Sequence, residues 1–205
     1  MKTDRKSYAQ VCPVATALDI IGDRWTILIL RELLGGPARF NEIRDGLPGI
    51  AGNLLAERLR RLEEDGLVRQ SNAAYSLTKL GASTRIIVEE LGMWGTRAAR
   101  LVPPEHQRSI RAVAVALQSI FVRAGDKLPS GRIVIELDIE GDIAEVVLDQ
   151  NPSVIVRAAA EPDAYIQTTT EGMSTMLRGH ALDGSAFTAT SGDEKAIKYF
   201  LAAMR

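Results

Sequence analysis

Between Gly49 and Gly66 the chain reads GIAGNLLAERLRRLEEDG, a helix whose two faces ask for different partners. On a wheel of about 3.6 residues per turn, Leu55, Leu59 and Leu62 fall on one side, at the i, i+4, i+7 spacing of a buried stripe. Asn53, Glu57, Arg60, Arg61 and Glu64 fall on the other, with Arg58 on the flank. Gly66 stands where a left-handed residue ends a helix, so the chain turns back into Leu67-Val68-Arg69, which reads as a strand start. Entered from the turn Leu47-Pro48-Gly49 and followed by a small hairpin, such a helix has the outline of a recognition helix with a wing. A solvated amphipathic helix has the same pattern, and the flanking sequence must decide between the two.

That flanking sequence divides in two. Pro103-Pro104 marks a boundary between a domain at 1–103 and another at 104–205, the first with 15 Lys and Arg against 12 Asp and Glu, the second with 10 against 14. A basic front and an acidic back fit a DNA-binding module joined to one that stays off DNA. No apolar run approaches the ~20 residues of a membrane span, which points to the cytoplasm. Cys12 is the single cysteine, and His106 and His180 are isolated, so neither a disulfide framework nor a metal site is expected.

In the front half, Pro13 opens a helix with Val14, Leu18 and Ile21 as its apolar stripe, and Asp23 caps a second running to Leu34. Arg39 to Arg44 reads as a short helix; Leu67 to Arg69 and Tyr75 to Leu77 pair as a hairpin with its tip between Gln70 and Ala74. Thr78 caps one long helix, Lys79 to Arg100. These elements and their residues resemble the HxlR family of winged-helix transcription regulators, related to the MarR group, over about residues 8 to 100. The carriers are Cys12-Pro13-Val14, Ile21 to Leu33, Arg39-Phe40-Asn41-Glu42-Ile43, Leu47-Pro48-Gly49-Ile50, Glu57 to Arg60, Gly66-Leu67-Val68 and Tyr75-Ser76-Leu77-Thr78 with Leu80-Gly81.

The resemblance implies a homodimer built through the amino-terminal segment and the long helix, through Ile86, Ile87, Leu91 and Trp94. Its two recognition helices would read a near-palindromic operator in double-stranded DNA. Candidate DNA-binding residues are Arg39, Asn53, Glu57, Arg58, Arg60, Arg61 and Arg69. Cys12, at a helix amino terminus, is a candidate thiol sensor by the same resemblance, with packing against a partner subunit as the alternative. The chain departs from the family at Ala51-Gly52-Asn53, Leu54 and Ala56, where members usually carry a cap, a basic residue and hydroxyls. Glu57 also faces outward, and a carboxylate near phosphates is unfavourable unless it accepts from a cytosine amino group.

In the back half Glu105 to Ala124 carries Ile110, Val113, Leu117, Ile120 and Phe121 at helical spacing, and from Ile133 the period becomes two. Strands are expected at 133–140, 143–148, 154–159, 164–168 and 185–190, and helices at 170–178 and 193–204. The fold class is α+β: an N-terminal winged helix-turn-helix plus a C-terminal, largely antiparallel sheet covered by helices. The order of elements, with Pro162 to Ile166 entering a strand and Met176 to Gly179 closing a helix, resembles the sterol-carrier-protein-type-two fold over residues 105 to 205. That fold encloses an apolar cavity, which implies a hydrophobic small molecule near Phe121, Met173, Met176, Leu177, Phe187, Tyr199 and Phe200. The alternative is that these side chains fill a core.

No Gly-x-Ser-x-Gly elbow, glycine-rich phosphate loop or nucleophile beside a histidine is present, so the reading is not an enzyme and needs no cofactor. Two functions stay open. One is a transcription regulator answering a hydrophobic ligand; the other is a ligand carrier whose winged-helix half only dimerises. In the first, the prolines form a stiff joint that couples the halves.

Overall fold

A computed structural model describes residues 7–98 and 109–205. It separates into two compact units, 1–88 and 89–205. The Pro103-Pro104 boundary, the end of the long helix at Arg100 and the start at Glu105 lie outside the described residues.

In the front unit α1 (Pro13–Ile21) and α2 (Thr26–Leu34) are followed by the two-residue strand β1 (Ala38–Arg39), α3 (Phe40–Asp45) and α4 (Gly52–Glu64). The hairpin β2 (Val68–Ser71) and β3 (Ala74–Leu77) leads to α5 (Lys79–Ala82) and then to α6 (Arg85–Ala98), in which the division between the two units falls. Strand β3 is central in a sheet ordered β1-β3-β2. Leu55, Leu59 and Leu62 bury the inward stripe of α4 against Ile29, Leu30, Leu33, Ile43 and Leu47. Each such side chain contributes about 1.5–3 kcal/mol of apolar burial. Gly66 adopts φ +71°, the left-handed turn expected after α4.

Two expectations change here. On α1 the buried residues are Ala15 and Ile21, while Val14 and Leu18 of the expected stripe are exposed. Periodicity marks an apolar face but not whether its partner lies in the same chain. The long helix breaks between Ala82 and Arg85, where the Ser83 and Thr84 hydroxyls donate back to the carbonyls of Leu80 and Gly81 and compete with the helical ladder. Thr78 does cap α5, accepting the Gly81 N–H at 3.1 Å.

In the back unit α7 (Ile110–Ala124) precedes β4 (Ile133–Ile139), β5 (Asp142–Leu148), β6 (Ser153–Ile155), β7 (Ala164–Thr168), α8 (Thr170–Leu177), β8 (Phe187–Gly192) and α9 (Glu194–Ala203). The sheet order is β6-β5-β4-β7-β8. Ile135, Leu137 and Ile139 with Ala144, Val146 and Leu148 face one core, into which α7, α8 and α9 place Leu117, Phe121, Met173, Met176 and Phe200.

The sheet is mixed, because β4 and β7 run parallel at its centre. A parallel neighbour requires a crossover, and this one is the segment between β6 and β7. It explains why the strand expected over 154–159 ends at Ile155. The segment is held by two carboxylates: Glu145, nearly buried, pairs with Arg157 at 2.8 Å, and Glu136 accepts the Ala159 N–H at 3.0 Å.

Candidate nucleic-acid interface

Helix α4 presents Asn53, Glu57, Arg60 and Glu64 along one line, at i, i+4, i+7 and i+11. Ala51 occupies its N-cap without a side-chain hydrogen bond, as expected from the absence of a hydroxyl there. Beside it the hairpin turns in two residues, Asn72 and Ala73, both at positive φ, and pairs Arg69 with Ser76. This two-residue turn matches strand twist and gives a wing shorter than the tip read from sequence. Among the cations named from sequence, Arg69 lies exposed on β2, its Nε donating to Ser76 Oγ at 3.2 Å. Arg39 is the exposed N-cap of α3, where the Glu42 carboxylate accepts its backbone N–H at 2.5 Å.

The three arginines of α4 differ. Arg60 is exposed and pairs with Glu64 one turn on; Arg61, half-exposed, pairs with Glu57 at 2.7 Å. Such i,i+4 pairs on a helix surface are worth only about 0.3–0.5 kcal/mol, so a phosphate can draw either guanidinium away. Arg58 is held inside. Its side chain is 16% exposed, Nη2 lies 2.7 Å from Asp23 Oδ2, and Nη1 lies 3.2 Å from Glu57 Oε1. Glu57 thus faces two guanidinia, which offsets the charge that made it an awkward neighbour for DNA.

Asp23 sits at the corner between α1 and α2, where its Oδ1 accepts the Trp25 N–H at 3.0 Å. Partial burial pushes its carboxyl up, but the hydrogen bonds from Arg58 and Trp25 and the charges of Arg58 and Arg61 outweigh that, leaving it below its ordinary pKa. The partnership of Arg58 with a residue 35 positions earlier escaped the sequence reading, which saw Asp23 as the cap of the second helix, a place that Trp25 takes instead. An arginine on the flank of the amphipathic wheel was the one available signal.

A groove of about 630 Å³ opens beside this corner, lined by Tyr8, Leu18, Asp19, Ile20, Asp23, Arg58, Arg61 and Leu62 among others. The residues named for a hydrophobic ligand are elsewhere. Phe121, Met173, Met176 and Phe200 lie inside the back-unit cluster, with Leu177 and Phe187 half-buried against it and Tyr199 exposed on α9. Phe121 meets Phe200 edge-on at 5.5 Å between centroids, and Phe187 meets Phe200 at 6.1 Å. A smaller groove of about 310 Å³ on the sheet is lined by Glu136, Asp138, Tyr165, Gln167 and Thr190 among others, and by none of the seven. Cys12 is half-buried at the N-cap of α1. Among the described residues no group of three acidic, histidine or cysteine side chains is placed to hold a metal, and no helix is long and apolar enough to cross a membrane.

A family model described as HxlR-like helix-turn-helix matches residues 20–102. The HTH-type transcriptional regulator YvaP of Bacillus subtilis is 38% identical over 98 residues, 44% of this chain and 91% of its own length. The HTH-type transcriptional regulator YodB of the same organism is 34% identical over 92 residues, 41% of this chain and 82% of its own. Among solved structures, quinone-bound YodB aligns at 36% identity over 42% of this chain and 99% of that one, with a TM-score of 0.40. These relatives cover only the front half.

Proposed function

The chain belongs to the HxlR-like helix-turn-helix family through its front half, and from that premise we propose how it works as a DNA-binding transcription regulator. Two copies place their α4 helices in successive major grooves of a near-palindromic site, about one helical turn apart. The observation that carries this reading is the outward line on α4 of exposed Asn53, Arg60 and Glu64 with part-exposed Glu57, flanked by Arg61 and by Arg69 on the wing. Asn53 is the side chain offered to base edges; the arginines serve phosphates.

Dimerisation uses apolar surface that is exposed among the described residues. On α6, Ile87, Leu91 and Trp94 line one face and all are exposed, Trp94 by 64%. Ile86, Val14 and Leu18 are exposed as well. Exposed large apolar side chains along one helix face mark an interaction surface. Sedimentation of the purified protein, followed by titration of a duplex from upstream of its own gene across a salt series, tests both parts. A dimer whose affinity falls steeply with salt is the expected result; a monomer, or no binding at any salt, removes the reading.

For the back unit the proposal is an effector domain of the sterol-carrier type that loads a hydrophobic molecule by parting the Phe121, Phe187 and Phe200 contacts. Mass spectrometry of protein taken from cells, with thermal shift against fatty acids, is the test. A ligand-free protein with an unmoved melting temperature leaves these residues as core. Cys12 as a sensor is tested by operator affinity before and after thiol oxidation in wild type and Cys12→Ser; equal responses remove it.

A further inference from the structure

Arg58 has the sequence position of a DNA-facing cation without the freedom of one. One carboxylate, Asp23, holds the N-cap residue of α2 with Oδ1 and the middle of α4 with Oδ2, through Trp25 N–H and Arg58 Nη2. The other arm of the guanidinium reaches Glu57, which also takes Arg61 Nη2 at 2.7 Å. A continuous set of charge-assisted contacts therefore runs from the α1–α2 corner through Arg58 to the outward side of α4. Withdrawing Arg58 toward a phosphate would strand a partly buried carboxylate at that corner and release Glu57 and Arg61 together.

We propose that Arg58 is a positioning residue for DNA recognition: through Asp23 and Glu57 it fixes the rotation of α4 on the α1–α2 corner and does not itself contact phosphate. The proposal rests on the DNA-binding reading above. It separates Arg58 from Arg60, Arg61 and Arg69, which share its charge but not its tether. Because α4 must enter the groove at a set angle for Asn53 to meet base edges, a looser corner costs recognition even with every outward cation in place.

The test uses the full-length protein and a duplex from upstream of its own gene, with Kd measured across a salt series for wild type, R58A, R58K, D23N and the double variant D23N/R58A, and R60A as the reference for a phosphate contact. Thermal unfolding is followed alongside; should R58A fail to fold, D23N and R58K carry the test. The expected result is that R58A and D23N each weaken binding by roughly tenfold, that both keep the wild-type salt slope, and that the double variant is no weaker than the worse single one. R58K recovers part of the loss. D23N is the telling arm, since removing a negative charge from the DNA-binding unit would strengthen a purely electrostatic complex. A slope lowered in R58A as in R60A, with D23N binding as well as wild type or better, overturns the proposal and makes Arg58 a phosphate ligand. If wild type binds no duplex at any salt, the functional reading fails and this role fails with it; the arms above fail the role alone.

Discussion

The front and back units use charge in opposite ways. In the front unit α4 carries Arg60 and Glu64 exposed and Glu57 and Arg61 part-exposed on its outward side, with Arg58 tethered inside. In the back unit two acidic side chains on the sheet's outer face, Glu136 and Glu145, hold the crossover between β6 and β7. Phe121, Phe200, Met173 and Met176 of that unit turn inward and are buried, while Tyr165 and Tyr199 stay exposed. Charge that is bound up inside a unit reports on its fold. Charge left outward, on a helix already anchored by Leu55, Leu59 and Leu62, is available to a partner, and the functional reading starts there.

The largest expected effect lies in the back unit. Phe200→Ala removes a buried ring that meets two others and should cost about 3–5 kcal/mol. If the two units are as separate as their packing, a thermal melt of this variant shows one transition lowered and the other unmoved, and duplex binding survives. A single lowered transition with lost binding would join the units energetically.

A smaller effect is expected at Gly81, whose added Cβ would lie 2.0 Å from the Leu67 carbonyl oxygen, where β2 begins and α5 passes close behind. Gly81→Ala should destabilise the front unit by about 1–3 kcal/mol, as overpacking does. Chemical denaturation followed by Trp25 fluorescence checks this, and an unchanged midpoint would mean that α5 shifts freely.

What could be read from sequence follows the same division. The α4 helix was legible because its leucine spacing, the glycine after it and the hairpin beyond it are local signals. The break at Ser83-Thr84 was not, since the apolar spacing resumes beyond it at Ile87, Leu91 and Trp94 and the hydroxyls that interrupt the ladder act on carbonyls three residues back. The parallel pairing of β4 with β7 depends on where a non-helical crossover travels, which strand periodicity does not encode. At the site, Arg60, Arg61 and Asn53 could be placed on the outward face by the helical wheel alone. The tether of Arg58 could not, because its partner comes from another helix corner 35 residues away. For Phe121, Met173, Met176 and Phe200, helical spacing marks burial alike for a cavity wall and a filled core.

The smallest expected effect is the contribution of Asp23 to stability against pH. Its carboxyl titrates lower folded than unfolded, so the stabilisation is present above the ordinary carboxylate range and is lost as pH falls through the depressed folded value. Wild type should therefore lose stability more steeply than D23N below that range, by a modest amount because the pair is partly exposed. Parallel curves would mean that Asp23 has the same pKa in both states.

The most direct test of the outward-charge account is the salt dependence of duplex binding in the variant R60A/R61A/R69A, with Arg58 left in place. The account predicts a fold at wild-type stability, weaker binding, and a plot of log affinity against log salt that flattens by about 0.9 for each lost phosphate contact. A wild-type slope in this triple variant would contradict it, because the cations on the free face of α4 and on the wing would then not be touching DNA.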